Sequence, residues 1–264
     1  LYFVERTYAI FTSQDLLHWD LLQKFDLPGD DECPDFYPLT ADDGRTLWVY
    51  SGAHDMYFVG DFDENGLYQP IQSVGQLSYN SQSYAAQTYY YEPGKPVIRF
   101  AWNRSDIPGA PFNGSMCTPT EMTLKKHGDR YYLSALPIKS TENLVVKSDK
   151  LDDFTLTHCT HELGSKTCRI SFTVKEGDLT CNLYGLEMKL DKNGLTCGES
   201  MLPRLKNEPM KVDIITDTNS VEIYLNGVAN TVIAHVLDET KPTFTIHAED
   251  PVEVQNLTVS ELSL

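Results

Sequence analysis

The sequence lacks long hydrophobic runs and is poor in positive charge. No stretch approaches the roughly 20 consecutive apolar residues that a membrane-spanning helix needs. Its 264 residues include 21 Lys and Arg against 38 Asp and Glu, which gives a formal net charge of −17. Nucleic acids and anionic membranes would be repelled by such a surface, so we expect neither as a partner. A neutral sugar, by contrast, is indifferent to net charge.

Cysteine is also sparse, and no leader sequence is visible. The six cysteines are far below the density of a small disulfide-stapled domain, although four of them lie between positions 159 and 197, where one or two bridges would fit. The first residues show no cationic segment followed by a long apolar run. Leu1 falls in what reads as the middle of a strand, so we expect an upstream portion to precede it. The compartment stays open.

Helical periodicity is nearly absent, and the segment 13–19 holds at most one helical turn. Short runs rich in β-branched and aromatic residues predict strands instead, because each run is bounded by Gly, Pro, Asn or Asp. The clearest runs are 46–50, 57–60, 97–102 and 131–133. Many short strands at even spacing predict an all-β sandwich, barrel or propeller.

The texture of the sequence changes near position 139. Aromatic residues crowd the chain before it, whereas apolar and polar residues alternate after it, as in the run 168–174. Such alternation is typical of sandwich strands with one wet face. Asn226-Gly227 predicts a tight hairpin. We therefore predict two domains, 1–138 and 139–264.

Seven segments, in order and covering nearly the whole chain, resemble motifs of glycoside hydrolase family 32. The most specific is Glu32-Cys33-Pro34-Asp35, which matches the Glu-Cys-Pro-Asp signature of that family. The others are 8–19, 59–63, 84–89, 100–102, 114–122 and 212–227. The resemblance implies an all-β chain with a partial five-bladed β-propeller followed by a C-terminal lectin-like β-sandwich.

The resemblance also implies an activity. Family members cleave β-fructofuranosidic bonds in sucrose, inulin or levan with retention, which needs two carboxyl groups about 5–5.5 Å apart. Glu32 falls at the general acid/base position of this site. The substrate-binding positions that the resemblance implies are Cys33, Asp35, Tyr84, Gln87 and Trp102. For Trp102 the ordinary alternative is core packing. No cofactor is expected, and the partner is a β-fructoside.

Two family motifs are missing from these residues. The nucleophilic Asp of the family lies in a Trp-Met-Asn-Asp-Pro-Asn-Gly motif and a second Asp lies in Arg-Asp-Pro, and neither motif occurs here. Both belong upstream of Leu1. Thr120 also replaces the arginine of the Pro-Arg-Glu-Leu segment of the family. An isolated general acid without its nucleophile should give little turnover.

Three hypotheses therefore stay open. The chain derives from a working fructan hydrolase, it is an inactive relative that binds fructan, or it is an assembly partner. In the last case the open propeller edge would be completed by self-association or by an upstream segment, because unpaired strand edges are rarely left exposed.

Two patterns that resemble metal sites are interpreted otherwise. Asp61, Asp63, Asn65 and Gly66 copy the start of a calcium loop, but the twelfth position is not Glu and no flanking helices are predicted, so a β-turn is favoured. His158, Cys159 and His161 do not follow the spacing of a zinc finger. We predict no metal.

Overall fold

The computed structural model describes residues 2–4, 7–89, 94–106, 111–235, 237–238 and 240–263. It divides into two compact units. One contains Leu1–Asn103 and Met116–Leu136, and the other contains Arg104–Ser115 and Pro137–Leu264. Nearly all the regular structure is strand, so the prediction of an all-β chain is confirmed. In the described part of the chain, no helix is long and apolar enough to cross a membrane.

The first unit is built from three antiparallel sheets that follow one another in the chain. The first sheet contains β1 (Tyr2–Val4), β2 (Thr7–Thr12) and β3 (Asp20–Phe25). The second contains β4 (Asp35–Thr40), β5 (Thr46–Ser51), β6 (Met56–Phe62), β7 (Tyr68–Pro70) and β8 (Gly75–Gln76). The third contains β9 (Ser83–Tyr89), β10 (Val97–Asn103), the short strand β11 (Ser115–Met116), β12 (Thr120–His127) and β13 (Arg130–Pro137).

Aromatic side chains fill the space between these sheets. Tyr8 of β2 and Tyr50 of β5 are fully buried, and their rings meet edge to face with centroids 5.1 Å apart. Phe36 of β4 stacks on Trp48 of β5 at 4.8 Å in the same cluster. A second cluster, which includes Leu47 and Leu133, joins the second sheet to the third. Much of the aromatic crowding of the first half is therefore core packing, within and between these sheets.

In the second unit, the segment from Pro137 onward starts with a 3-10 helix, Lys139–Leu144. Its strands are β14 (Val145–Lys150), β15 (Phe154–Glu162), β16 (Cys168–Val174), β17 (Leu179–Leu183), β18 (Leu186–Asp191), β19 (Gly194–Cys197), β20 (Ser200–Pro203), β21 (Met210–Asp217), β22 (Ser220–Leu225), β23 (Ala229–Ala234) and β24 (Thr243–Leu262). The long strand β24 pairs with β15 and β17 in its first half and with β14 and β16 in its second half. One hydrogen-bonded path thus bends into a sandwich. The hydroxyls of Ser200 on β20 and Thr231 on β23, 2.8 Å apart, join the two ends of that path.

Local turns follow the sequence chemistry. Asn226 and Gly227, with φ of 54° and 73°, connect β22 to β23, so the tight hairpin is confirmed. The favoured β-turn is also confirmed, because the Gly66 N–H donates to the Asp63 carbonyl at 3.0 Å. The segment 13–19 is not helical; the Asp15 carboxylate instead accepts the backbone N–H groups of the two residues at 17 and 18. None of the six cysteines, all of which lie in the described ranges, is in a disulfide bond.

Candidate active site

Glu32 lies in the loop between β3 and β4, and its backbone is fixed from two directions. Its carbonyl accepts the Tyr8 hydroxyl and the Ala53 N–H, both at 2.9 Å. Burial raises the pKa of Tyr8, which keeps that hydroxyl protonated as a donor. The first sheet and the turn before β6 therefore set the position of Glu32, while its side chain stays exposed.

Tyr84, in the third sheet, contacts the Glu32 side chain. The Tyr84 hydroxyl on β9 donates a hydrogen bond to Glu32 Oε2. Tyr84 is paired in register with Trp102 on β10, and their rings meet edge to face with centroids 6.4 Å apart. Trp102 is 41% exposed, so much of its ring is open to a ligand. The structure thus brings Glu32, Tyr84 and Trp102 together; their roles stay predictions.

The other predicted site residues make backbone contacts. Gln87 Nε2 donates to the Cys33 carbonyl at 3.0 Å. The Asp35 carboxylate accepts the N–H groups of Thr88 at 2.6 Å and Phe36 at 2.9 Å. Burial raises the pKa of Asp35, and burial together with the Glu32 carboxylate raises the pKa of the Cys33 thiol. These contacts tie β9 to the Glu32 loop, and the substrate-binding roles of Cys33, Asp35 and Gln87 stay predictions.

Two residues of this site belong to no motif. The His54 ring lies edge to face against Tyr84 with centroids 4.8 Å apart. The fully buried Asp30 carboxyl accepts the backbone N–H of His54 at 2.7 Å, and its other oxygen lies 3.2 Å from the ring nitrogen Nδ1 of His54. Burial raises the pKa of Asp30, against the hydrogen bonds from His54, which lower it. His54 sits in a turn between two strands, and the only sequence signal for it is a His-Asp pair beside an apolar run.

A double-mutant cycle tests the Asp30 contact. A Cβ on Gly52 would lie 2.5 Å from Asp30 Cγ and 2.6 Å from its Oδ2. We expect Gly52→Ala to lower the free energy of unfolding by about 1–3 kcal/mol, because the buried carboxyl has no room to move. In urea unfolding, Gly52→Ala should cost clearly less in an Asp30→Ala background, which removes the clashing atoms. Costs that add to within about 0.5 kcal/mol would contradict the contact.

The arrangement is suited to a polyol ligand. Glu32 can give or take a proton at a sugar oxygen, and the Trp102 ring offers an apolar face of the kind that stacks on sugar rings.

A groove of about 880 Å³ in the second unit is lined by Lys175, Arg204, Glu253 and other charged, polar or small residues, without an aromatic ring. Within the described ranges, no group of three His, Cys, Asp or Glu side chains is arranged to hold a metal ion.

Comparison with known families identifies the family of the chain. Residues 4–135 match the model of the glycosyl hydrolases family 32 N-terminal domain, and this is half of the chain. The chain belongs to glycosyl hydrolase family 32.

Curated relatives of this family member include two fructan-degrading enzymes. The chain is 26% identical over 244 residues to the levanbiose-producing levanase of Bacillus subtilis, covering 84% of this chain and 44% of the levanase. It is 28% identical over 162 residues to the fructan beta-fructosidase of Streptococcus mutans, covering 51% of this chain and 11% of that enzyme. The chain therefore spans about half or less of these relatives.

Solved structures of the family share the fold. The exo-inulinase from Aspergillus awamori superposes with a TM-score of 0.77 at 17% identity, covering 98% of this chain and 62% of the inulinase. The beta-fructofuranosidase from Schwanniomyces occidentalis, complexed with fructosyl-erythritol, gives 0.77 at 19% identity, with coverages of 98% and 66%. The predicted fold, a partial β-propeller followed by a β-sandwich, is confirmed.

Proposed function

We propose that this family 32 chain carries the general acid/base half of a β-fructofuranosidase site. The observation that supports it most is the hydrogen bond from Tyr84 to the exposed Glu32 carboxyl, beside the open ring of Trp102. Glu32 would protonate the leaving glycosidic oxygen and then, as a carboxylate, activate the water that releases the sugar. Sucrose, inulin and levan are the proposed substrates.

The mechanism needs a second carboxylate. A retaining glycosidase attacks the anomeric carbon with a nucleophile about 5–5.5 Å from the acid/base carboxyl. These residues contain neither the Trp-Met-Asn-Asp-Pro-Asn-Gly motif, which carries the nucleophilic Asp of the family, nor the Arg-Asp-Pro motif, so the nucleophile would come from a segment outside them. Trp102 would flank the fructosyl ring, with Cys33, Asp35, Tyr84 and Gln87 around it.

We also propose that the chain divides into domains 1–138 and 139–264. The sheets of the first unit share two hydrophobic clusters, and β24 of the second unit pairs with four other strands of that unit. In this proposal the first domain carries the Glu32 site.

A second candidate function is fructan binding without hydrolysis. The exposed ring of Trp102 beside Tyr84 supports sugar binding whether or not hydrolysis follows. Hydrolysis of levan, inulin or sucrose by the longest polypeptide that the gene encodes would exclude this alternative. Binding of inulin in a calorimeter, with no release of fructose, would support it against the enzyme.

Binding through Trp102 can be measured on this chain. We expect Trp102→Ala to weaken inulin affinity about tenfold in calorimetry, because the apolar platform for the sugar ring is lost. Trp19→Ala is the matched control, since Trp19 is also an exposed tryptophan of the first unit, at 55%. Equal affinities for both variants would count against a sugar platform at Trp102.

A further inference from the structure

A buried ion pair involves the chain neighbours of two site residues. The side chains of Arg99 on β10 and Asp55 in the turn before β6 are each 4% exposed. Arg99 Nε donates to Asp55 Oδ1 at 2.9 Å, and its Nη2 donates to the other carboxylate oxygen and to Ser83 Oγ at 2.8 Å. This Arg99 cluster therefore joins β9, β10 and the turn before β6. Asp55 directly follows His54, and Ser83 directly precedes Tyr84.

The backbone is unusual at the same places. Glu32 and His54 both contact Tyr84, and each of these three residues is followed by a non-glycine residue with positive φ. The followers are Cys33 at 47°, Asp55 at 60° and Ala85 at 51°. Residues with a Cβ reach this region only at a cost in energy, so neighbouring contacts must hold them there. Such outliers gather at functional sites, where they fix the direction of side chains.

The Arg99 cluster supplies a contact of that kind, since it grips Asp55 directly. A buried ion pair is weak as a source of stability, because desolvation of the two charges offsets most of their attraction. Its directional, bidentate geometry instead fixes where the two partners lie. An ion pair at this point is thus better suited to setting geometry than to holding the fold together.

We propose that Arg99 is a positioning residue, which holds His54 through Asp55 and Tyr84 through Ser83 in their places against Glu32. This inference rests on the proposed function, because it assigns a role within the Glu32 site. Arg99 touches no substrate in it and acts only through its partners.

The neighbouring strand offers a rescue experiment. Thr120 on β12 is paired in register with Arg99, so the two side chains lie on one face of the sheet. The Cβ atoms of residues paired in this way are about 4.5–5.5 Å apart. The double variant Arg99→Thr/Thr120→Arg therefore moves the cation to the next strand. The matched control is Arg169→Met in the second unit, because Arg169 makes the same bidentate pair with Asp213, at 2.9 and 2.6 Å.

Two measurements on folded protein separate positioning from simple stability. The first is inulin affinity by calorimetry. The second is the position of the His54 ring resonances in NMR spectra, assigned by comparison with His54→Gln, because the Tyr84 ring current acts on them without any ligand. Thermal unfolding is recorded for every variant.

We expect Arg99→Met to weaken inulin affinity roughly 10- to 100-fold, as small misplacements in a site do, and to move the His54 resonances. The double variant should recover much of both, and Arg169→Met should lower the melting temperature only. Unchanged affinity and unchanged resonances in folded Arg99→Met would overturn the proposal.

Should Arg99→Met not fold, Ser83→Ala decides instead. It removes one hydrogen bond of the cluster, so we expect roughly 2- to 10-fold weaker binding and a smaller movement of the His54 resonances. No change in either measurement would contradict the proposal. If the unaltered protein binds no fructan, only the proposed function fails, and the resonances still decide whether Arg99 positions His54.

Discussion

Glu32→Gln is expected to reduce fructan hydrolysis by about 10²- to 10⁴-fold, the usual contribution of a positioned general acid/base. The amide cannot give a proton to the leaving oxygen, yet it keeps the size of the carboxyl and can still accept the Tyr84 hydroxyl. Inulin affinity should therefore stay nearly unchanged. The rates are measured on the longest polypeptide that the gene encodes, with levan, inulin and sucrose.

The leaving group makes this test specific. In an aryl β-fructofuranoside the aryloxide is a good leaving group and departs without protonation. The rate of the first step, cleavage of the glycosidic bond, should therefore fall far less in Glu32→Gln with this substrate than with sucrose. Glu64→Gln, which changes an exposed carboxyl in the turn between β6 and β7, is the control and should behave as the unaltered protein. Equal losses in the rate of this first step with both substrates would argue that Glu32 is not the proton donor.

Much of the fold could be predicted because the strands and turns follow from the preferences of neighbouring residues. Runs of β-branched and aromatic residues between turn residues predicted the strands, and Asn226-Gly227 predicted its hairpin by the ease with which both residues adopt positive φ. The segment 13–19, expected to hold at most one helical turn, forms none. The Asp15 carboxylate accepts the backbone N–H groups of Leu17 and His18 there, and these hydrogen bonds take the place of helical ones.

The site was predictable only where a motif spells it. Glu32, Tyr84 and Trp102 lie in three separate segments, and only the resemblance of those segments to family motifs implied that they share one site. His54 and Arg99 could not be found in this way. Their roles depend on cross-sheet register and on a left-handed backbone at Asp55, and neither quantity shows in composition or spacing.

Gly194→Ala is expected to have the largest effect on stability in the second unit. Gly194 begins β19 with φ of 146°, and a Cβ there would lie 1.9 Å from the Leu202 carbonyl oxygen and 2.9 Å from the Arg204 nitrogen. Both atoms are backbone, so relief requires β19 and β20 to separate. We expect a loss of about 3 kcal/mol or more, at the upper end for overpacking, and a melting temperature lower by roughly 10 °C.

Gly198→Ala in the same hairpin is the control, because Gly198 also has positive φ, 56°, but a Cβ there meets nothing within 4 Å. Its cost should be about 1–2 kcal/mol, that of the left-handed backbone alone.

The pair of variants also tests the proposed domains, since all three tryptophans, Trp19, Trp48 and Trp102, precede position 139. If 1–138 and 139–264 unfold separately, Gly194→Ala should lower the circular dichroism transition of the second domain and leave the tryptophan fluorescence transition in place. Equal shifts in both signals would mean that the two parts unfold as one cooperative unit, and the division at 138 would have to be abandoned as a description of folding.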